Sequence, residues 1–546
     1  MSNVQLSFNN AEGLLVTHYK ESVRKFLKTV VVFDDQAFNQ TVSLEASELV
    51  IPESFIGDLG FNELAPTQDF YESIYNDEEV KVADEDHQLD GPGLVKLFAS
   101  HGIVCSIIEP VSHDGVDSIV SEIVTISSAA DVLVLDWELR KGDYTATICA
   151  IQEIVSADNA QGGRLRFVVI YTAARVRDVV RALRGKFGGG FSQSGHLCRI
   201  EHACIAILNK PSVAHDNGVE LSALPNKIFD LHSQFSSGLL PAAALSAIGT
   251  IRNHTHQILG QFENKLDAAF ITHRALIPKA DDAETHLIEL VADTLQHVML
   301  AEGVRASLSN ELCAARLLEL HQGDIDDESI GVIKECISSF GLDKLNAMRG
   351  ALGVDAQERH PQKKIISRFY NNEHDSELAR KGMAFLHDFS RSHMHKISLQ
   401  HPPRISLGTV VSIENDGSFD YYVCIQPRCD SVRFEGVRGF PFMRLSPNST
   451  TPNIHFFWSD QYRSTRISEH LYDLTVFDFG SRAVVTDVVQ AEFDVAKGSW
   501  FFSPIELGPI YWVGDLRKEK AQRLVSKIAS RLHLPGINEY ELTRQD

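Results

Sequence analysis

Five polar side chains stand where apolar runs of strand length end, and their types could carry out phosphoryl chemistry. In chain order they are Asp34, Asp35, Asp136, Thr172 and Lys210. Three neighbouring carboxylates repel one another, and Mg²⁺ is a suitable counter-charge because it accepts carboxylate oxygens and keeps several waters. With that charge balanced, one carboxylate can attack a phosphoryl donor and become an acyl phosphate. The hydroxyl and the ammonium can then hydrogen-bond to the new phosphoryl oxygens.

The elements that must position these residues are predicted from the apolar pattern. Continuously apolar runs, typical of parallel strands covered on both faces, occur at 29–33, 104–108, 131–135, 165–171 and 204–208. Helical spacing fills the intervals at 91–101, 116–127, 144–155 and 176–187. This alternation predicts an α/β domain with a doubly wound, five-stranded parallel sheet. Ligands of such a sheet bind at the carboxyl ends of its strands, so the five polar side chains are expected in one pocket.

The order of these residues along the chain resembles that of the receiver domain of two-component response regulators, which has a flavodoxin-like fold. The order is an acid pair, a lone aspartate, a threonine and a Lys-Pro pair, each at a strand end. The strings that carry the resemblance are VVFDD (31–35), VLVLDW (132–137), VIYTA (169–173) and LNKP (208–211). The resemblance implies that Asp136 is the phosphoacceptor. It implies that Thr172 and Lys210 bind the phosphoryl group. It also implies a Mg²⁺ site formed by Asp34, Asp35, Asp136 and the backbone carbonyl of Glu138, and a cis bond between Lys210 and Pro211.

Two features depart from the pattern of that family. The first strand and the helix near Gly91 are separated by an acidic insertion at 37–90, whose part 53–90 holds twelve acids and one lysine. We predict a solvated surface insertion; an acidic flap that mimics a polyanion or masks a basic partner is the alternative. Ile207 stands where receivers usually carry an aromatic switch residue. Large, insertion-bearing receivers of this kind are similar to those of prokaryotic conflict or phage-defence operons.

In the rest of the chain, the spacing of apolar residues changes twice. Residues 221–401 carry helical spacing up to Pro402-Pro403, and short strands and a last amphipathic helix follow. We therefore expect three domains: 1–220 receiver-like, 221–401 helical and 402–546 α+β. A His-Asp pair with further histidines is a hypothetical metal-dependent phosphohydrolase site; surface or helix-capping histidines are the alternative. That set is His387, Asp388, His393, His395 and His401.

Composition limits the partners. Against 73 acids the chain has 51 lysines and arginines, a net charge of −22, so nucleic acid could bind only through a local basic patch. The candidate patch is on the last helix, at Arg517, Lys518, Lys520, Arg523, Lys527 and Arg531. No apolar run reaches the ~18 residues needed to span a bilayer, and no membrane contact is expected. The eight cysteines form no CxxC pair, which favours reduced thiols in a cytoplasm.

Three functions are compatible with this sequence, and whether the chain turns over a substrate stays open. The first is a phosphorylation-controlled signalling protein whose partners are a histidine kinase or phosphotransfer protein and other proteins of its operon. The second is an effector enzyme, a nuclease or phosphohydrolase, in the C-terminal half under receiver control. The third is a non-catalytic adaptor with a vestigial receiver. A homodimer is compatible with each of them.

Overall fold

The structure, a computed structural model, describes most of the chain. The described residues are 8–37, 89–110, 115–140, 142–160, 163–211, 218–277, 280–320, 326–338, 344–355, 357–359, 361–370, 372–393, 401–415, 417–431, 437–447, 452–459, 461–468, 473–480, 484–485 and 488–532. The predicted insertion at 37–90 falls almost entirely outside them. The chain divides into two compact units: an N-terminal unit, Val16–Gly249, and a C-terminal unit, Thr250–Asp546 with Met1–Leu15. The predicted domain limits at 220 and 401 stay predictions.

The N-terminal unit alternates strands with helices. Its strands are β1 (Thr29–Phe33), β2 (Val104–Ile108), β3 (Val132–Leu135), β4 (Arg166–Thr172), β5 (Phe191–Ser194), β6 (Leu197–Ile200) and β7 (Ala203–Asn209). Its helices are α1 (Phe8–Phe26), α2 (Gly91–Ser100), α3 (Val116–Ser127), α4 (Thr145–Ala160), α5 (Val176–Phe187), α6 (Leu224–Phe235) and α7 (Leu239–Asn253), of which α1 and α7 cross the unit boundaries.

The sheet of this unit is mixed and has seven strands, in the order β2-β1-β3-β4-β7-β6-β5. The pairs from β2 to β7 are parallel, and β6 and β5 are antiparallel. The prediction of five strands was therefore too low. The extra strands are a hairpin that turns at Gly195, whose φ of +59° a glycine adopts without strain. Cys198 and Ile200 of the hairpin are buried, which extends the apolar surface beyond β7.

Both faces of the sheet are covered by helices, which explains why β3 is apolar at every position and why β1, β4 and β7 are apolar over most of their length. Val31 and Phe33 of β1 point to a core that also contains residues of α3, α4 and α5. Val30 and Val32 point to the opposite core, shared with α1, α2 and α6. Helix α1 was not predicted, although Tyr19 and Val23 recur at helical spacing and are buried.

The C-terminal unit is helical in its first half and rich in β-structure in its second. The helices of the first half are α8 (Thr255–Leu259), α9 (Asp267–Leu276), α10 (Ala280–Ala301), α11 (Asn310–Leu320), α12 (Asp327–Ser338), α13 (Lys344–Ala351), α14 (Pro361–Ser367) and α15 (Glu373–Asp388). The strands are β8 (Phe389–Ser392), β9 (Thr409–Asn415), β10 (Ser418–Cys424), β11 (Arg438–Pro447), β12 (Ile454–Trp458), β13 (Gln461–Ile467), β14 (Leu474–Phe479), β15 (Val484–Val485), β16 (Val488–Val489), β17 (Glu492–Asp494), β18 (Ser499–Phe502) and β19 (Ile510–Leu516). Short helix α16 (Arg428–Ser431) follows β10, and α17 (Lys518–Leu532) follows β19.

Ten of these strands form one sheet, and β15 pairs with β16 in a separate hairpin. The sheet is antiparallel and packs apolar side chains on both faces, with α17 against one of them through Leu524 and Ile528. Within the described residues, no helix is long and apolar enough to cross a lipid bilayer. The seven cysteines whose side chains are described are free thiols.

Candidate functional site

The candidate site lies at the carboxyl edge of the parallel strands of the N-terminal unit. Asp34 directly follows β1, and Asp136 directly follows β3. The backbone holds these positions, because the Asp136 amide donates to the Phe33 carbonyl at 2.8 Å and the Lys210 amide donates to the Thr172 carbonyl at 2.9 Å. Each hydrogen bond continues the strand ladder by one residue, so the side chains project from a rigid edge.

The structure brings the three predicted carboxylates together. One ligand oxygen each from Asp34, Asp35 and Asp136 lies within 4.8 Å of the others. The Lys210 ammonium bridges two of them, with Nζ 2.7 Å from Asp34 Oδ2 and 2.5 Å from Asp136 Oδ2. The side chains of Lys210 and Asp34 are only 7% and 3% exposed, so the pair is shielded from bulk water. Residues that are distant in the sequence thus form one charged cluster.

This cluster carries more negative than positive charge. Burial, followed by the charge of Asp136, raises the pKa of Asp34, although Lys210 acts in the opposite direction. Burial and the charges of Asp136 and Asp34 raise the pKa of Asp35 to about 6. Burial alone would lower the pKa of Lys210, but the attraction of Asp136 and Asp34 outweighs it and the pKa is raised. One ammonium is therefore shared between carboxylates that it does not fully neutralise.

The donor set fits a hard divalent cation. Three carboxylates that converge within 4.8 Å provide the oxygen ligands that Mg²⁺ prefers, and one lysine leaves two negative charges for the metal to balance. Asp34, Asp35 and Asp136 are the side chains that would hold it. The Glu138 amide faces Asp136 Oδ1 at 3.4 Å, and its carboxylate accepts from the Gly142 amide at 3.1 Å. The predicted use of the Glu138 carbonyl stays a prediction.

Thr172 and the Lys-Pro pair lie at the same edge. Thr172 is buried, and its Oγ1 accepts a hydrogen bond from the Ala174 amide at 3.1 Å. No cis peptide bond occurs among the described residues, so the prediction of a cis Lys210–Pro211 bond was wrong. The trans isomer is the lower in energy. The Val219 amide donates to the carbonyl of Asn209, the residue before Lys210, at 2.8 Å.

Two residues that support the site were not predicted from the sequence. Thr147, buried in α4, donates its hydroxyl to the backbone carbonyl of Asp136 at 3.0 Å. The Tyr171 ring lies 6.0 Å from Lys210 Nζ, and its hydroxyl donates to the Val219 carbonyl at 2.7 Å. A threonine within an apolar helix and a tyrosine within an apolar strand carry no local signal of these contacts.

Among the described residues of the predicted histidine site, which are His387, Asp388, His393 and His401, no three offer ligand atoms close enough together to hold a metal ion. The His387 side chain is 66% exposed and its Nδ1 is 3.9 Å from Asp388 Oδ1. Asp388 is buried, and both of its carboxylate oxygens have partners within the unit. Lys520 Nζ lies 2.8 Å from Oδ1, and the His455 amide donates to Oδ2 at 2.8 Å. His395 lies outside the described residues. Among the described residues, the carboxylate cluster of the N-terminal unit is the one metal-type group of three or more.

The predicted basic patch of the last helix is partly used inside the C-terminal unit. The engaged side chains are Arg517 with the Leu386 carbonyl, Lys518 with Glu289 and Lys520 with Asp388. Arg523 is exposed, and the side chain of Arg531 lies outside the described residues. Three of the six predicted patch residues therefore have partners within the C-terminal unit.

Comparison with known proteins finds a family match for the N-terminal part of the chain. Residues 26–209 match the family model of the response receiver domain, and that stretch contains all the strands of the sheet and four of the five predicted site residues. The fifth, Lys210, directly follows it. Comparison with curated proteins and with solved structures gave no match. A receiver domain indicates phosphorylation-based response-regulator signalling. Residues 26–209 of this chain are therefore a response-regulator receiver domain.

Proposed function

We propose that the receiver domain accepts a phosphoryl group on Asp136 and that this modification controls the helical and C-terminal parts of the chain. One observation supports this above all: Asp34, Asp35 and Asp136 converge within 4.8 Å beside Lys210. A purely structural ion pair needs equal numbers of opposite charges, whereas this group has an excess of carboxylate. Such an excess suits a metal-dependent phosphoryl acceptor.

The transfer we propose conserves atoms and charge. A carboxylate oxygen of Asp136 attacks the phosphorus of a phosphohistidine on the partner, and an aspartyl phosphate forms. The bond between phosphorus and the imidazole nitrogen breaks, the nitrogen keeps the electron pair, and it takes up a proton. Lys210, which already contacts Asp136 Oδ2, is placed to pair with the incoming phosphoryl oxygens. Thr172 would hydrogen-bond to the same group after leaving its contact with the Ala174 amide.

Mg²⁺ is the cofactor of this proposal. Asp34, Asp35, Asp136 and the Glu138 carbonyl would hold it. When bound, it supplies positive charge that offsets the crowded carboxylates and the phosphoryl oxygens. The raised pKa values of Asp34 and Asp35 support the need for such a charge.

The proposed donor is a histidine kinase or a phosphotransfer protein in the cytoplasm. The long insertion between β1 and α2 supports a relation to receivers of anti-phage defence operons, whose other products would then be further partners. The output is a population shift of ~1 to 3 kcal/mol, the usual size of such coupling.

The test uses the full chain with acetyl phosphate or phosphoramidate and Mg²⁺, followed by intact mass. We expect an adduct of ~80 Da that is absent from Asp136→Asn and from samples with excess EDTA. Asp143→Asn is the matched control, because Asp143 is a partly exposed aspartate that follows Asp136 in the chain and is not part of the carboxylate cluster, and it should keep the adduct.

Other outcomes separate the alternatives. A chain that binds partner proteins but gives no adduct would be an adaptor with a vestigial receiver. An adduct that survives Asp136→Asn would move the acceptor to another residue. Release of nucleotides from RNA, DNA or nucleoside triphosphates, lost on His387→Ala, would favour an effector enzyme in the C-terminal half.

A further inference from the structure

A cavity of about 490 Å³ opens on the ten-stranded sheet of the C-terminal unit, at the point where β11 ends with Pro447. Strands β10 and β13, which pair with β11 on either side, contribute most of the lining that the structure describes. Among those lining residues, Arg463 of β13 is the one with a charged side chain. The described lining therefore has one positive charge and no negative charge.

Arg463 lies on an aromatic face of the sheet. It pairs with Phe456 across β13 and β12, and residues paired in this way have their side chains on the same face. Phe456, Tyr421 and Trp458 are buried in the hydrophobic core of that face. The Arg463 side chain is partly exposed, but its Nε is shielded from water. The cation therefore extends from the solvent-accessible cavity into an apolar surrounding.

The charge of Arg463 has no counter-charge in the described part of the chain. Arg444 of β11 is paired with Asp420 at 2.7 Å, whereas Arg463 forms no ion pair with a described carboxylate, and its Nε has no hydrogen-bond partner there. The neighbour of its guanidinium is the Tyr421 hydroxyl, and burial raises the pKa of Tyr421 in spite of that neighbour. The phenol therefore stays neutral and does not balance the guanidinium. A shielded cation beside a neutral group favours a bound anion.

Two further buried donors on this face have no partner among the described residues. One is Ser412 Oγ, from the residue that pairs with Tyr421 across β9 and β10. The other is Trp458 Nε1, and the Trp458 ring lies 6.2 Å from the ring of Phe419, which lines the cavity. Buried polar groups in folded proteins nearly always have partners. Because indole and guanidinium N–H groups only donate, the missing partner is a hydrogen-bond acceptor.

We propose that this cavity binds a small organic oxyanion, a carboxylate or a phosphate monoester carried on an aromatic body. The planar guanidinium of Arg463 can bind two oxygens of such a group at once. Ser459 and Gln461 in the lining add neutral donors, and the Phe419 ring offers an apolar surface to the body of the ligand. About 490 Å³ lies within the usual range of small-molecule sites. The proposal does not depend on phosphorylation of Asp136.

The first experiment measures binding to the full chain by calorimetry in EDTA, with benzoate, phenyl phosphate and the neutral benzamide as probes. We expect at least one of the two anions to bind about tenfold more tightly than benzamide, and the tighter anion identifies the oxyanion as carboxylate or phosphate. It should also bind more tightly than its bare counterpart, acetate or inorganic phosphate. No binding of either aromatic anion, or equal binding of benzamide or of the bare anion, would overturn the proposal.

Variants of Arg463 separate binding from stability. Arg463→Gln should weaken binding of the anion about tenfold or more, because it removes a charge-assisted pair of hydrogen bonds. Arg463→Met should leave the melting temperature of the ligand-free chain unchanged or raise it, because it removes a shielded charge that has no counter-charge. A lower melting temperature of ligand-free Arg463→Met would mean that the guanidinium serves the fold through Tyr421, and it would overturn the proposal.

Two controls complete the design. Arg466→Gln removes a cation from the same strand, three residues further along and hence on the opposite face of the sheet, and should leave binding unchanged. An equal loss in Arg466→Gln and Arg463→Gln would mean binding to the general surface and would overturn the site. Asp136→Asn should retain binding, which separates this site from the phosphoacceptor function. Loss of binding in Asp136→Asn would place the anion in the receiver domain and would also overturn the site.

Discussion

Two buried charge clusters occupy opposite edges of the receiver sheet and differ in charge balance. At the amino end of β4, Arg166 forms two hydrogen bonds with Asp158, 2.8 Å from Nε and 2.7 Å from Nη2, and a third with the Ser127 carbonyl. At the carboxyl edge, Lys210 contacts two carboxylates and a third lies beside them. The ion-paired side chains of both clusters are buried, so burial alone does not distinguish them.

The balance of positive and negative charges distinguishes a structural ion pair from a ligand-binding site. The Arg166 pair has one charge of each sign and satisfies its hydrogen bonds within the fold, so it requires nothing more from outside. The cluster around Lys210 has three acids and one cation, and the pKa values of Asp34 and Asp35 are raised. A charge excess that the fold leaves uncompensated indicates a place where a ligand belongs.

We expect the largest loss of stability when the balanced pair of Arg166 and Asp158 is broken. Arg166→Met leaves the buried Asp158 carboxylate without its partner and should lower the free energy of unfolding by about 3 to 5 kcal/mol. Urea unfolding, combined with hydrogen exchange of a β4 peptide, measures this. The double variant Arg166→Met/Asp158→Leu should recover most of the loss. A cost below ~1 kcal/mol for the single variant would contradict the structural role.

The buried histidine His232 should make the stability of the N-terminal unit depend on pH. Burial lowers the pKa of His232 to about 4, because its ring lies among Phe167, Phe235 and Phe26. The folded unit then binds fewer protons than the unfolded chain, so its stability should fall by about 3 kcal/mol as the pH drops from 6.5 to 4. His232→Phe should flatten that part of the pH profile of urea unfolding. An unchanged profile would show that His232 is not the responsible group.

The acidic cluster has the opposite pH dependence. The pKa of Asp35 is raised to about 6, so its ionisation destabilises the metal-free fold increasingly between pH 3.8 and 6 and fully above that range. Asp35→Asn should therefore stabilise the metal-free protein at pH 8 by about 2 kcal/mol, allowing for partial exposure. The gain should vanish below pH 3.8. A loss of stability at pH 8 would mean that the carboxylate is compensated within the fold.

The smallest effect tests metal binding directly. At ten times its Kd, Mg²⁺ should stabilise the wild-type chain by about 1.4 kcal/mol at pH 8. At pH 5 the effect should shrink, because protonated Asp35 competes with the metal. Thermal unfolding with and without EDTA measures both values. Asp35→Asn should lose most of the stabilisation, and an equal effect in that variant and in the wild type would exclude Asp35 as a ligand.

The sequence predicted the elements of the receiver domain well because their patterns are local. Helices predicted at 116–127 and 176–187 have those bounds, since amphipathic spacing is read within a few turns. Some strands of the C-terminal unit carry no such local pattern. Strand β13, Gln461–Ile467, is mostly polar, and β11, Arg438–Pro447, contains two prolines. Their strand conformation depends on pairing with each other and with β14, which a local pattern does not contain.

Continuous apolar runs in the sequence are enough to locate the ends of the receiver strands, and therefore the polar residues that stand at one edge of the sheet. Which charged side chains come into contact, and where one sign is in excess, depends on the packing of elements that are distant in the sequence. Lys210 bridges carboxylates that lie 176 and 74 positions away along the chain, and Arg463 of β13 lies beside Tyr421 of β10. The strength of a charge interaction depends on distance and burial, and both are set by non-local packing.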